Sequence, residues 1–431
     1  MKTTLTALCL LFALITDALA QTPPLYLRAG QLLDVVTGEL LRDQAIIVEG
    51  EMITAVGSAS ALQVPPGAVE VDLGEATVLP GLIDAHVHLT SNAAIHGYNS
   101  LSQSAIREAI FGVSAARDTL AAGFTTVRNV GAGAFGDIAL RDAIDAGEVP
   151  GPRMLVSGPP LSITGGHCDN NLLPAEYESR ADGVADGPWA VRAKVRENLK
   201  YGASVIKFCA TGGVLSKGTS LGAQQFTLEE MEALVDEAHM AGVKVAAHAH
   251  GAAGIKAAIR AGVDSVEHAS LLDEEAITLA LDRGTNLVMD VYVSDYILES
   301  GAEAGMLEES LAKEREVGQL QRDNFRRAHE AGVNIVFGSD AGVYPHGLNG
   351  RQFAYMVDYG MTPLAAIQTA TVKAADLLGP GVGVGVIAGG AYADIIAVTG
   401  NPLEDIRQLE TVDFVMKGGE IYVRNIGRLT E

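Results

Sequence analysis

The sequence predicts an α/β protein: a (β/α)8 barrel of the TIM type with a small β-domain built from both ends of the chain. Three observations carry this. A unit of helix end, glycine and apolar run recurs six times, polar residues fall at one level of successive predicted strands, and both flanks show short strands and glycine turns. A chain of 431 residues exceeds one ordinary core, and a barrel of about 250 residues with an appended piece divides it naturally.

The recurring unit reads Leu120-Ala121-Ala122-Gly123 before Thr125-Thr126-Val127, Tyr201-Gly202 before Val205-Ile206, and Ala241-Gly242 before Val243-Lys244-Val245. It continues with Ala261-Gly262 before Val263, Arg283-Gly284 before Leu287-Val288, and Ala331-Gly332 before Ile335-Val336. Glycine just past a helix supplies the left-handed cap that other residues resist, and the apolar run after it reads as a strand buried on both faces. Val78–His88 and Met154–Gly158 add two strands without that prelude, making eight between residues 78 and 340. Eight parallel strands with helical crossovers suggest a closed barrel; a doubly wound open sheet is the alternative.

The barrel is expected over residues 78–384, flanked by residues 21–77 and 385–431. In the flanks, Val48-Glu49-Gly50-Glu51-Met52-Ile53 and Val415-Met416-Lys417-Gly418-Gly419-Glu420-Ile421 each read as a hairpin. Neither flank has the apolar residues for a core of its own. The two should therefore combine, leaving the chain ends as neighbours.

Residues 1–20 carry Lys2, an apolar run from Leu5 to Ile15 and Ala18-Leu19-Ala20 before Gln21, the pattern of a cleavable export signal. The run is too short to span a membrane. Export to a periplasm or to the medium is expected, with no membrane attachment after cleavage. The formal charge of −23 argues against nucleic acid or an anionic membrane as partner. Beyond Cys9 only Cys168 and Cys209 remain, and no disulfide framework is implied.

Two histidines stand two apart in Leu82-Ile83-Asp84-Ala85-His86-Val87-His88, so period two turns both imidazoles to one face, where they can reach one metal. Lys207 lies in Val205-Ile206-Lys207-Phe208-Cys209, an otherwise apolar strand. It either snorkels at the strand end or is neutral, paired or chemically altered, since an unpaired buried ammonium costs several kcal/mol. A neutral amine can take up carbon dioxide as a carbamate, whose two oxygens can bridge two cations. His248 precedes His250 by the same spacing of two, and His268 follows His248 by one strand-helix-strand step. Counted from the cap glycines, Lys207 is five residues on, His248 and His268 six, and Asp340 eight. Alone, Asp340 reads as a helix N-cap. With four histidines and a lysine it completes a shell for two borderline metals about 3.5–4 Å apart.

This set resembles that of the amidohydrolase superfamily, in the binuclear subtype with a carbamylated lysine bridge. The resemblance covers essentially the whole mature chain and rests on Pro80-Gly81-Leu82-Ile83-Asp84-Ala85-His86-Val87-His88 with Lys207, His248, His268 and Asp340 in strand order. Thr164-Gly165-Gly166-His167, Ala247-His248-Ala249-His250-Gly251 and His346-Gly347-Leu348-Asn349 resemble the prolidase-like dipeptidase and carboxypeptidase group, which includes enzymes that split ochratoxin A into phenylalanine and its isocoumarin acid. The resemblance implies one metal on His86, His88 and Asp340, the other on His248 and His268, and carbamylated Lys207 between them. It implies zinc as the ion, and Asp340 as the group that takes the proton of the nucleophilic water and returns it to the leaving amine.

Other positions are less constrained. His167 either stabilises an oxyanion or is a surface-loop histidine, and His250 is either a partner behind the ligands or a substrate contact. Tyr292, His346, Asn349 and Arg351 lie beyond strands seven and eight, where they line the pocket or face water. The loop from Gly212 to Gly222 departs from the group in carrying Lys217 and no carboxylate. Lys217 attracts a substrate carboxylate or simply faces water.

The expected activity is hydrolysis of the amide bond to a C-terminal amino acid in a dipeptide or N-acyl amino acid, ochratoxin A included. Hydrolysis of a cyclic amide or lactone, or deamination, can use the same cluster. A non-catalytic exported metal-binding protein is the alternative of another class. A small-molecule substrate and self-association into a homo-oligomer complete the expectations.

Overall fold

The computed structural model describes residues 23–426 and the backbone of residues 428–430. The expected export signal, residues 1–20, lies outside the described residues. The chain begins with β1 (Leu25–Leu33), β2 (Leu40–Glu49), β3 (Met52–Ser58), β4 (Val69–Asp72) and β5 (Thr77–Pro80). The barrel strands follow: β6 (Leu82–Val87), β7 (Phe124–Asn129), β8 (Arg153–Val156), β9 (Val205–Cys209), β10 (Lys244–Gly251), β11 (Ser265–Leu271), β12 (Asn286–Val288) and β13 (Ile335–Val336).

β6-β7-β8 and β9-β10-β11-β12-β13 form two parallel runs. Backbone bonds close both seams. The Ser204 amide donates to the Val156 carbonyl and the Leu161 amide to that of Lys207, each at 2.8 Å; across the other seam Ala85 donates to Phe337 and Asp340 to His86, each at 2.9 Å. The sheet is thus a closed eight-stranded barrel, and the doubly wound alternative is excluded. All six glycines of the recurring unit adopt positive φ, from 64° at Gly284 to 105° at Gly202. The recurrence is a genuine backbone signal.

Around the barrel run α1 (Ala105–Ala121), α2 (Gly136–Asp145), α3 (Pro188–Lys200), α4 (Leu228–Met240), α5 (Ala252–Ala261), α6 (Glu274–Arg283), α7 (Val293–Ser300), α8 (Glu308–Glu330), α9 (Gln352–Asp358), α10 (Pro363–Thr369) and α11 (Val372–Leu378). Side chains that satisfy free amides start several of them: Ser104 accepts from the Arg107 amide, Asp273 from that of Ala276, and Thr227 with Glu230 forms a reciprocal capping box on α4.

The strand expected over residues 78–88 is two strands. β5 pairs antiparallel with a C-terminal strand while β6 joins the barrel, and the change of partner falls at consecutive amides: Gly81 donates to the Asp394 carbonyl, Leu82 to that of Gly123. A Cβ at residue 81 would stand 2.1 Å from Thr125 Oγ1, so the crossing requires glycine there.

The C-terminal flank supplies β14 (Ile395–Val398), β15 (Phe414–Lys417), β16 (Glu420–Arg424) and β17 (Arg428–Thr430). With β1–β5 they form one nine-stranded sheet, ordered β16-β15-β14-β5-β1-β2-β3, with β4 pairing both β1 and β17. Leu27, Ile46, Val71, Val78, Ile395 and Phe414 share its core, which neither flank could have filled alone. β2–β3 and β15–β16 are the expected hairpins. The two ends meet on β4, where Leu25 is paired with Val69 and Thr430 with Glu70.

Candidate metal centre

His86 and His88 leave the mouth end of β6 on one side of the strand, with ring centroids 5.3 Å apart. Asp340 follows β13, and its Oδ1 lies 3.4 Å from Nε2 of each ring. The three offer ligand atoms within reach of one ion. From β10 and β11, His248, His250 and His268 converge in the same way, with the His248 and His268 centroids 4.6 Å apart. His86 joins the two groups at 4.9 Å from His268. Lys207 rises between them from β9, 3% exposed, and all these residues line one cavity of about 170 Å3.

His268 and Asp340 hold φ of 67° and 60°, a left-handed conformation costly for residues with a Cβ. Strain of this kind persists only where the surroundings impose it and gathers at functional sites. Here it falls on two of the converging side chains.

Behind four of the rings, Nδ1 is occupied. His86 Nδ1 donates to Glu267 Oε2 at 2.8 Å, and His268 Nδ1 to Asp290 Oδ1 at 2.8 Å. His88 Nδ1 donates to the Gly131 carbonyl at 3.2 Å, and His250 Nδ1 pairs with Ser270 Oγ at 2.8 Å. Arg128 Nη2 reaches both Glu267 oxygens, at 2.8 and 3.0 Å, and its Nε donates to the Ala85 carbonyl at 2.6 Å. Burial would raise the Glu267 pKa, but Arg128 and His86 hold it well below the usual carboxylate range. An ionised Glu267 fixes His86 as the Nδ1–H tautomer and leaves the Nε2 lone pair free to ligate.

The electrostatics fit a cation. Burial depresses the pKa of His86, and drives those of His248 and His250 well below the ordinary imidazole value. For His268 burial acts the same way, but Asp290 overrides it and raises the pKa. Burial brings Lys207 down to about 8, and Asp340, although buried, is held well below its ordinary value by His86 and His88. His248 Nε2 is buried with no hydrogen-bond partner among the described residues. The neutral rings of His86, His248 and His250, an ionised carboxylate and an orphaned ring nitrogen are a donor set for divalent metal. The residues present fit such a centre.

The structure brings His86, His88, Lys207, His248, His250, His268 and Asp340 together, and adds His167. That ring stacks on His248 at 4.1 Å, accepts or donates at Ser216 Oγ at 2.8 Å, and is brought down to about 3 by burial. His167 is therefore a cavity residue. His250 stands at ligand distance from His248 and His268, closer than a substrate contact alone requires.

Five other expected contacts do not line this cavity. Asn349 is fully buried and donates to Asp84 Oδ2 at 2.8 Å, within a set of bonds behind His86; burial raises the Asp84 pKa to about 6. The Tyr292 hydroxyl accepts from Arg351 Nη1 at 3.1 Å and its ring packs edge-on against Tyr344. His346 donates to the Ser91 carbonyl beside a separate cavity, and Lys217 Nζ donates to the Tyr98 hydroxyl at 2.9 Å. Position along a loop gave their height on the barrel but not their direction. The cysteine expectation also needs correction: Cys168 and Cys209, 41 residues apart, are joined as a disulfide with Cα atoms 6.1 Å apart. The loop after β8 folds back over the end of β9, which spacing alone cannot reveal.

Glu267, Arg128, Asp290 and Gln321 were not anticipated. Glu267 and Asp290 left a usable signal, a carboxylate within or at the end of an apolar strand at ligand level.

A closed barrel carrying histidines, a lysine and an aspartate at its mouth, beside a sheet built from both flanks, defines a hydrolase architecture. The chain belongs to the amidohydrolase family, whose pattern matches residues 77–422. Ochratoxinase of Aspergillus niger is 35% identical over 412 residues, covering 89% of this chain and 84% of that protein. Among solved structures, a Xaa-Pro dipeptidase with methionine in its active site superposes with a TM-score of 0.88 at 39% identity, over 93% of this chain and 100% of the other. The A. niger ochratoxinase structure gives 0.82 at 32%, over 94% and 96%. The chain is an enzyme that acts on amide bonds.

Proposed function

We propose that this protein hydrolyses the amide bond to a C-terminal amino acid in dipeptides or N-acyl amino acids, ochratoxin A among them. The carrying observation is the Asp340 carboxylate, 3.4 Å from two imidazole Nε2 atoms at the barrel mouth. The names of two relatives, a Xaa-Pro dipeptidase and an ochratoxinase, support the same bond type. His86, His88 and Asp340 would hold one ion and His248 and His268 the other, with Lys207 as a bridging carbamate; the borderline donor set favours zinc.

Bound divalent ions supply Lewis-acid activation of water and of the scissile carbonyl. The remaining work belongs to the chain. Asp340, kept ionised, accepts the proton of the attacking water on a carboxylate oxygen and delivers it to the leaving nitrogen. His167, whose neutral ring stacks on His248, would donate to the developing oxyanion. Glu267 and Asp290 hold the rings of His86 and His268 in one tautomer.

Residues 1–20 are proposed to direct export. The Cys168–Cys209 disulfide suits an oxidising compartment, and no helix among the described residues is long and apolar enough to cross a membrane.

The test is a panel of dipeptides, N-acyl amino acids, ochratoxin A, lactones and cyclic amides on zinc-reconstituted protein, with products identified by mass. Release of a free C-terminal amino acid is expected, and Asp340→Asn should lose roughly a thousandfold in kcat, the middle of the range for general acid–base work. Turnover confined to lactones or cyclic amides, or undiminished in the variant, defeats the proposal.

A further inference from the structure

Glu314 plays no part in the chemistry above, yet it lines the same cavity as the candidate ligands. It lies on the inward face of α8 with Val317, Gly318 and Gln321, and is 3% exposed. One carboxylate oxygen accepts from the Ser294 hydroxyl. The other makes no hydrogen bond to a described residue, and the side chain lines the cavity. Burial raises its pKa, and the nearby Asp290 carboxylate adds to this, while the Ser294 hydroxyl, Arg322 and His268 offset it only in part.

The helix makes room for this group at a cost. A Cβ at residue 318 would stand 2.8 Å from Glu314 Oε1 and 2.9 Å from Ser294 Oγ. Glycine inside a helix is about 1 kcal/mol less favourable than alanine, so the sequence keeps space for a carboxyl that burial itself penalises. A buried carboxylate that faces an active cavity calls for a cation brought from outside.

A second cavity, of about 290 Å3, adjoins the first, shares His88, Leu215 and Val343 with it, and is also lined by Gly342, Arg107 and Glu108. The Arg107 guanidinium forms no ion pair with a described residue. Since Asp340 would protonate the leaving nitrogen, a departing amino acid belongs in that second cavity, with its carboxylate toward Arg107. The acyl half then extends past His268 and Asp290 toward Glu314.

We propose that Glu314 binds the free α-ammonium of the substrate's N-terminal residue, so that the preferred substrates are unblocked dipeptides rather than N-acyl amino acids. The inference rests on the amide-hydrolase reading given above. The test compares alanyl-phenylalanine with N-propionyl-phenylalanine, which differ only in that ammonium group. Wild-type zinc enzyme should favour alanyl-phenylalanine in kcat/KM by at least about tenfold, the equivalent of one charge-assisted contact, and Glu314→Gln should bring the ratio close to one. Equal wild-type turnover of the two compounds overturns the proposal without any variant, as does a Glu314→Gln enzyme that retains the wild-type ratio. Failure to cleave either compound while other amides of the panel are cleaved overturns the proposal, and failure to cleave any amide of the panel defeats instead the amide-hydrolase reading on which it rests.

Discussion

At the scale of the residue, the barrel interior separates groups able to ligate a cation from groups that orient them. Lys207 is the sharpest case, because its burial sets its chemistry. Its pKa falls from 10.5 to about 8 in the folded chain. A lysine so depressed contributes stability that is present above about pH 10.5 and is lost as the pH falls toward 8, because the folded state resists taking up the proton. In metal-free, bicarbonate-free protein, Lys207→Met should therefore be more stable than wild type at pH 7.5 by roughly 3 kcal/mol, with the gap narrowing by roughly 2 kcal/mol by pH 10. Urea unfolding at the two pH values measures this. A gap that does not change with pH would show that the amine is not desolvated as described.

The candidate ligands were legible because a polar side chain on an apolar barrel strand has few bland explanations, and several at one level have fewer. Glu314 was not legible. Glu308, Glu309, Glu314 and Glu316 look alike along an amphipathic helix, and only the packing of α8 against α7 and β11 turns one of them inward.

At the scale of the element, the capping signals did more than mark ends. On α4 Thr227 and Glu230 satisfy each other's backbone amides, and Glu230 Oε1 also accepts from the Gly187 amide that precedes α3. One side chain thus starts two neighbouring helices. Thr227→Ala should cost about 1 kcal/mol, seen as a lower urea midpoint. An unchanged midpoint would contradict this account. The eight strands were legible from the glycine caps and apolar runs. The division at Gly81 was not, since an uninterrupted apolar run gives no sign that its two halves pair with different sheets.

At the scale of the whole molecule, the β-sheet belongs to neither end of the chain alone. β14 lies between β5 and β15, so the N-terminal flank is incomplete until the last strands are made. The single residue Gly81 then passes directly from that sheet to the strand bearing His86 and His88. The assembly from both flanks was legible because each was too poor in apolar residues to stand by itself. The branch at β4 was not, because β17 is only three residues long.

That branch makes the polypeptide nearly a ring. Leu25 and Thr430 lie on either side of β4, two strand spacings apart or roughly 10 Å, so a few added residues would join them. Cut instead at the exposed turn between Gly147 and Glu148, on the side of the barrel away from the mouth, the same contacts would be traced in a different order. Such a circular permutant should fold and cleave its substrate within about threefold of the parent rate, since exposed turns with nearby termini tolerate this change. For this architecture, where the chain starts is a matter of genetic punctuation, and the catalytic mouth depends only on the circuit being complete.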